Sequence, residues 1–128
     1  MRMIKPTIVF ISAARVSNSA KRNMELSMEL YETLLPFKPE ACIGKWGVEE
    51  ESYMLTLRSD VAHSVRVLEL LAKEYDQEAI LVLDQTDEVA RIHYTDGKQG
   101  EELSYSFLTE EPLGNHTVLP DGRYLVAQ

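Results

Sequence analysis

The sequence predicts an α+β fold, a ferredoxin-like β-α-β-β-α-β sandwich carrying a C-terminal β-rich extension. Three observations predict it. The run 7–14 (TIVFISAA) reads as a strand apolar on both faces, and 79–83 (AILVL) is a short continuous apolar run, as strands covered on both faces are. Two longer stretches repeat apolar residues at helical spacing. Between those stretches lie two strand-like segments parted by Gly47, with no room for a helix. That order of elements is the split βαβ unit. At 128 residues the chain fits one domain, residues 1–128, with the core at about 7–84 and the extension at about 85–128.

Taken in order, the first strand covers 7–14, and Ser17 to Ser19 offer caps for a helix over about 20–35. Met24, Met28, Tyr31 and Leu35 recur on one face of that helix and are expected in the core. Pro36 and Pro39 end the helix and force an extended connection. Strands follow at about 40–46 and 50–58, with Gly47 at the hairpin turn. Asp60 or Ser59 caps a second helix, with Val61, Val65, Leu68 and Ala72 facing inward and Arg66, Glu69 and Lys73 facing solvent. After the buried strand at 79–83, strands at 89–94 and 103–108 flank the turn signal Thr95-Asp96-Gly97, and 123–126 reads as a last strand. This tail has too few apolar residues for a core of its own. It is expected to extend the main sheet or to reach a neighbouring subunit.

Composition narrows the function. The formal net charge is −8, and so acidic a surface repels phosphate backbones and anionic lipid, which argues against nucleic-acid and membrane partners. The single Cys42 forms no intramolecular disulfide and no Cys-rich metal site, so it is read as a packed strand residue in a reducing cytoplasm. The apolar run behind the basic start is too short for a signal peptide, and no stretch approaches the ~20 apolar residues that span a bilayer. His63, His93 and His116 lack metal-ligand spacing and are read as surface or helix-face residues, so no metal is expected.

The common catalytic signatures GxSxG, the P-loop and GxGxxG are missing from the sequence. Three polar clusters beside strand ends remain: the loop with Ser12, Arg15, Ser17 and Asn18; the run Glu49-Glu50-Glu51-Ser52; and Asp84-Gln85-Thr86-Asp87. Each has a plain structural reading as a helix cap, a solvated acidic turn or a surface loop. The first and third need not share an edge of the sheet, but subunit contacts can bring one chain's loop to another's acidic cluster.

The order and spacing of these pieces resemble the bacteriophage S-adenosylmethionine-degrading enzymes, the S-adenosylmethionine hydrolase/lyase family. The resemblance runs from "ISAARVSN" through "RNMELSMELYETL" and "EESYMLTLRSDVAHSVRVLELLAKEYDQEAILVL" to a weaker end at "LPDGRYLVAQ". Its telling parts are Ser-Ala-x-Arg, the Asn-Met in the first helix, the paired Glu before the third strand and Glu74-Tyr75-Asp76-Gln77-Glu78. Two places depart from the phage pattern: Val16 separates Arg15 from Ser17-Asn18 more widely, and the Gln85-Thr86 segment is shifted by one residue.

The resemblance implies S-adenosylmethionine as substrate, with no cofactor expected beside it. Its own carboxylate attacks Cγ and releases 5′-methylthioadenosine and L-homoserine lactone, in phage counter-restriction within an infected cell. It implies Glu51 or its neighbour Glu50 as the group that holds the substrate ammonium. Ser12, Arg15, Ser17 and Asn18 become polar contacts, with Arg15 free to pair with an acidic side chain instead, and Gln85 and Thr86 become ribose or adenine contacts. It also implies a PII-like homotrimer with active sites between subunits. Two rivals stand beside it: a hydrolase giving homoserine, with Glu50 or Glu51 as general base, and a non-enzymatic PII-like nucleotide-binding sensor.

Overall fold

The computed structural model describes residues 5–46, 48–98 and 100–128; Gly47, expected at a hairpin turn, lies outside them. Among the described residues there are two helices and nine strands: β1 (Thr7–Ile11), α1 (Ala20–Leu34), β2 (Glu40–Trp46), β3 (Val48–Leu57), α2 (Val61–Glu74), β4 (Ala79–Asp84), β5 (Val89–Tyr94), β6 (Glu102–Leu103), β7 (Tyr105–Leu108), β8 (His116–Val118) and β9 (Tyr124–Ala127). All strand pairs are antiparallel, in the order β6-β5-β4-β1-β3-β2-β8-β9-β7. No helix among them is long and apolar enough to cross a membrane.

The two ends of that strand order belong to one extended segment. Its first part, β6, pairs with β5, and its second part, β7, pairs with β9. Ser104, between them, exchanges both backbone hydrogen bonds with Gln128. The sheet therefore curls round into a near-closed barrel, and its edges are covered instead of exposed. This is why 103–108 reads as one strand in the sequence although it changes partner midway.

Curling gives the central strands two apolar environments. Val9 and Ile11 of β1 pack with Leu30 and Leu34 of α1 and Leu68 and Ala72 of α2 in one core. The alternate residues Ile8 and Phe10 point into the barrel, with Leu83, Ala90, Leu119 and Leu125. The C-terminal strands thus share the second face of the main sheet, which is how a tail too apolar-poor for its own core is stabilised. Tyr105 and Phe107 pack into this second core, their rings 5.6 Å apart edge to face. Cys42 is buried there beside Ser52, and burial pushes its thiol up to about 11.

Several expectations are corrected. β1 ends at Ile11, because Ser12 turns its hydroxyl to the backbone and 12–14 leave the ladder. Asp60 occupies the cap position of α2 in the left-handed region (φ 49°) without a side-chain cap bond among the described residues. Ser19 does cap α1, its hydroxyl accepting from the Arg22 amide. The stripe Met24, Met28, Tyr31 and Leu35 lies outside the core: these residues are 63, 61, 43 and 52% exposed, while Ser27, Leu30 and Leu34 face inward. Glu69 is drawn off the solvent face by His93, 2.8 Å away on β5. His116 is buried in β8 instead of lying at the surface.

Candidate active site

A cavity of about 390 Å³ opens into one end of the barrel, within the range of small-ligand sites. Phe10, Leu81, Ile92 and Leu103 supply apolar wall; Ser12, Ser52, Gln77 and Thr117 supply polar groups. Glu50 is the sole charged side chain among the described residues that line it. No cation pairs with Glu50 among the described residues, and the strand alternation that faces Glu50 and Ser52 inward turns Glu51 to the other side of the sheet. On that outer side the Glu51 carboxylate lies near Tyr53, whose hydroxyl is pushed above its ordinary value first by burial and then by this charge. Only one of the two glutamates thus faces the cavity.

Ser12 sits at the cavity where β1 ends. Its hydroxyl donates to the Glu51 carbonyl at 2.7 Å and accepts from the Ala14 amide at 3.1 Å. It thereby pins the backbone of β3 next to Glu50. Gln77, which the sequence reading did not single out as a site residue, crosses from the start of β4 and donates to the Ala14 carbonyl at 3.0 Å. Ser52, from the acidic run, shares Glu50's face of the sheet, as do Trp46 and Thr117, which the sequence reading did not single out. Trp46 stands two residues from Gly44, the ladder partner of Glu50, and therefore on the same face.

The remaining predicted residues lie elsewhere in the chain. Asn23 clamps the loop after β1: its side-chain oxygen accepts from the Arg15 amide at 2.9 Å and its amide nitrogen donates to the Arg15 carbonyl at 2.8 Å. Asn18 donates to the same Asn23 oxygen, so much of this loop's polarity is spent on its own shape. Ser17 is exposed in the turn. The Arg15 guanidinium is 3.9 Å from Asp76, in an adjacent cleft that Gln77 also borders. Gln85 and Thr86 are at the opposite end of β1, where they bond the backbone of Pro6 and Lys5. Within one chain they are not brought to Glu50 and Ser12.

Among the described residues no three His, Cys, Asp or Glu side chains gather as metal ligands. An acidic group on an apolar wall, flanked by hydroxyls, suits a small cationic ligand with polar appendages. No curated protein matches the sequence. The model of the S-Adenosylmethionine lyase family matches residues 9–127, from the first strand to the last. The chain therefore belongs to the S-adenosylmethionine lyase family.

Proposed function

We infer that the protein cleaves S-adenosylmethionine by letting the substrate's own carboxylate attack Cγ, with 5′-methylthioadenosine and L-homoserine lactone as products. One observation carries the reading: the described lining of the barrel cavity holds one charged side chain, the Glu50 carboxylate. Glu50 pairs with the substrate ammonium and fixes the methionine chain. The bond from carboxylate oxygen to Cγ forms as the Cγ–sulfur bond breaks, and the electron pair stays on sulfur. A carboxylate and a sulfonium become a neutral lactone and a neutral thioether, so charge vanishes in the transition state and a dry wall favours the step over water. Folding the chain for attack supplies the remaining advantage through orientation. No proton transfer is required of the protein.

The strand order β4-β1-β3-β2 with two helices supports a ferredoxin-like core. The exposed apolar stripe of α1 supports assembly, and we read the working form as a homotrimer with sites completed between subunits. Gln85, Thr86 and Arg15 would then act from neighbouring chains. The biological setting we propose is depletion of S-adenosylmethionine in a phage-infected cytoplasm, which deprives restriction–modification enzymes of it. Early-time product analysis in H₂¹⁸O tests the chemistry. Unlabelled homoserine lactone is the expected first product; homoserine carrying ¹⁸O in its hydroxyl group would mean that water is the nucleophile.

A further inference from the structure

The chain has one tryptophan, and it stands on the cavity wall at the end of β2. Trp46 remains 42% exposed, although an indole is among the most favourable groups to bury. It is nevertheless held firmly. Its Nε1–H donates to Thr117 Oγ1 at 3.2 Å. Its ring lies back along the strand over Gly44, where an added Cβ would stand 3.3 Å from Cδ1 and 3.8 Å from Nε1. Gly44 is the residue paired across the ladder with Glu50. An aromatic face and a carboxylate are thus set side by side on the same wall.

S-adenosylmethionine carries two cations, an ammonium and a sulfonium, four bonds apart. The reading above gives the ammonium to Glu50, and a partly open π face beside it attracts a second cation. We propose that Trp46 recognises the sulfonium and so selects S-adenosylmethionine against neutral thioethers of the same shape, a role that rests on the cavity being the substrate site. The sulfonium charge disappears as the reaction proceeds. A cation–π hold therefore belongs to the ground state: it tightens binding and does not lower the barrier from the bound complex. It also fades once the sulfur becomes neutral, which eases release of the thioether product.

The test compares wild type, Trp46→Leu and Trp46→Phe by initial rates with S-adenosylmethionine and by competitive inhibition with S-adenosylhomocysteine, the neutral thioether. Trp46→Leu is expected to raise KM about 2- to 30-fold with kcat held or raised, while the inhibition constant of the thioether moves much less. Trp46→Phe should recover part of the loss. Equal loss for both ligands, or no loss for either, overturns the proposal. A second measurement does not need turnover. Decarboxylated S-adenosylmethionine keeps both cations but lacks the attacking carboxylate, so wild-type Trp46 fluorescence can be titrated with it directly. A saturable change is expected with this probe; its absence overturns the role of Trp46. A fluorescence response in a protein that makes no 5′-methylthioadenosine would leave Trp46 in place and refute the lyase reading instead.

Discussion

Three consecutive glutamates, 49 to 51, differ in placement because a strand turns alternate side chains to opposite faces. Glu50 faces the cavity and Glu51 the outer surface near Tyr53. Glu50→Gln keeps the shape but removes the charge; if Glu50 holds the ammonium as proposed, substrate affinity should fall roughly 10- to 150-fold, the span of a charge-assisted hydrogen bond. Glu51→Gln should change KM by less than about threefold, as exposed charges do. Steady-state kinetics of the two variants decides it, and the reverse ranking would move the ammonium site to the outer face or to a neighbouring chain. The sequence could not make this choice. Parity is normally set by an apolar–polar alternation, and β3 has none: Glu49 to Glu51 are all acidic, while Met54 and Leu55 are both apolar because each face of the strand meets a core.

Elements were legible wherever one period dominated a long enough stretch. The two helices, the strands 40–46 and 89–94 and the buried strand before Asp84 follow from pattern alone. β8 did not, since three residues carry no period, and the burial of its His116 depends on strands far away in the chain. The Met24–Leu35 stripe misled for another reason: helical spacing identifies a face but not what covers it. Closure of the barrel was invisible too, and the hairpin that leads into the closing segment is tightly fitted at Gly100. A Cβ there would overlap the Ile92 carbonyl oxygen of β5. Gly100→Ala must displace that strand and should cost about 1–3 kcal/mol, lowering Tm by roughly 3–15 °C in a thermal melt. An unchanged melt would mean that the chain at Gly100 does not approach β5 this closely. At the other end of β4, the amide of Asp87, then the guanidinium of Arg91 and the amide of Thr86, hold the Asp84 carboxyl below its ordinary 3.8. A carboxyl depressed by folding stabilises fully above its unfolded value, and that contribution drains away as pH falls through the folded one. Acid titration of unfolding should therefore show a stability loss below about pH 4 that is smaller in Asp84→Asn, which starts out weaker at pH 7.

For the whole molecule, two features oppose each other. Every chain carries a formal charge of −8, so copies repel at long range. Yet α1 shows solvent a contiguous apolar stripe of Met24, Met28, Tyr31 and Leu35, the kind of surface that association covers. Short-range burial and long-range repulsion respond differently to salt. The Debye length falls to about 10 Å at 0.1 M ionic strength, which removes the repulsion and leaves the apolar contact intact. Assembly through this stripe should accordingly tighten as salt is added, whereas an oligomer held by ion pairs would loosen. Light scattering at micromolar concentration should give a trimer at moderate salt, with a shift toward monomer at low salt. Met28→Glu places a like charge in the stripe and should yield monomers with an unchanged circular dichroism spectrum, because Met28 is already solvent-facing in the single chain. Those monomers should also lose lyase activity, since residues such as Gln85 cannot reach Glu50 within their own chain. A wild-type monomer would remove the trimer altogether. A fully active Met28→Glu monomer would show that the barrel cavity is complete by itself.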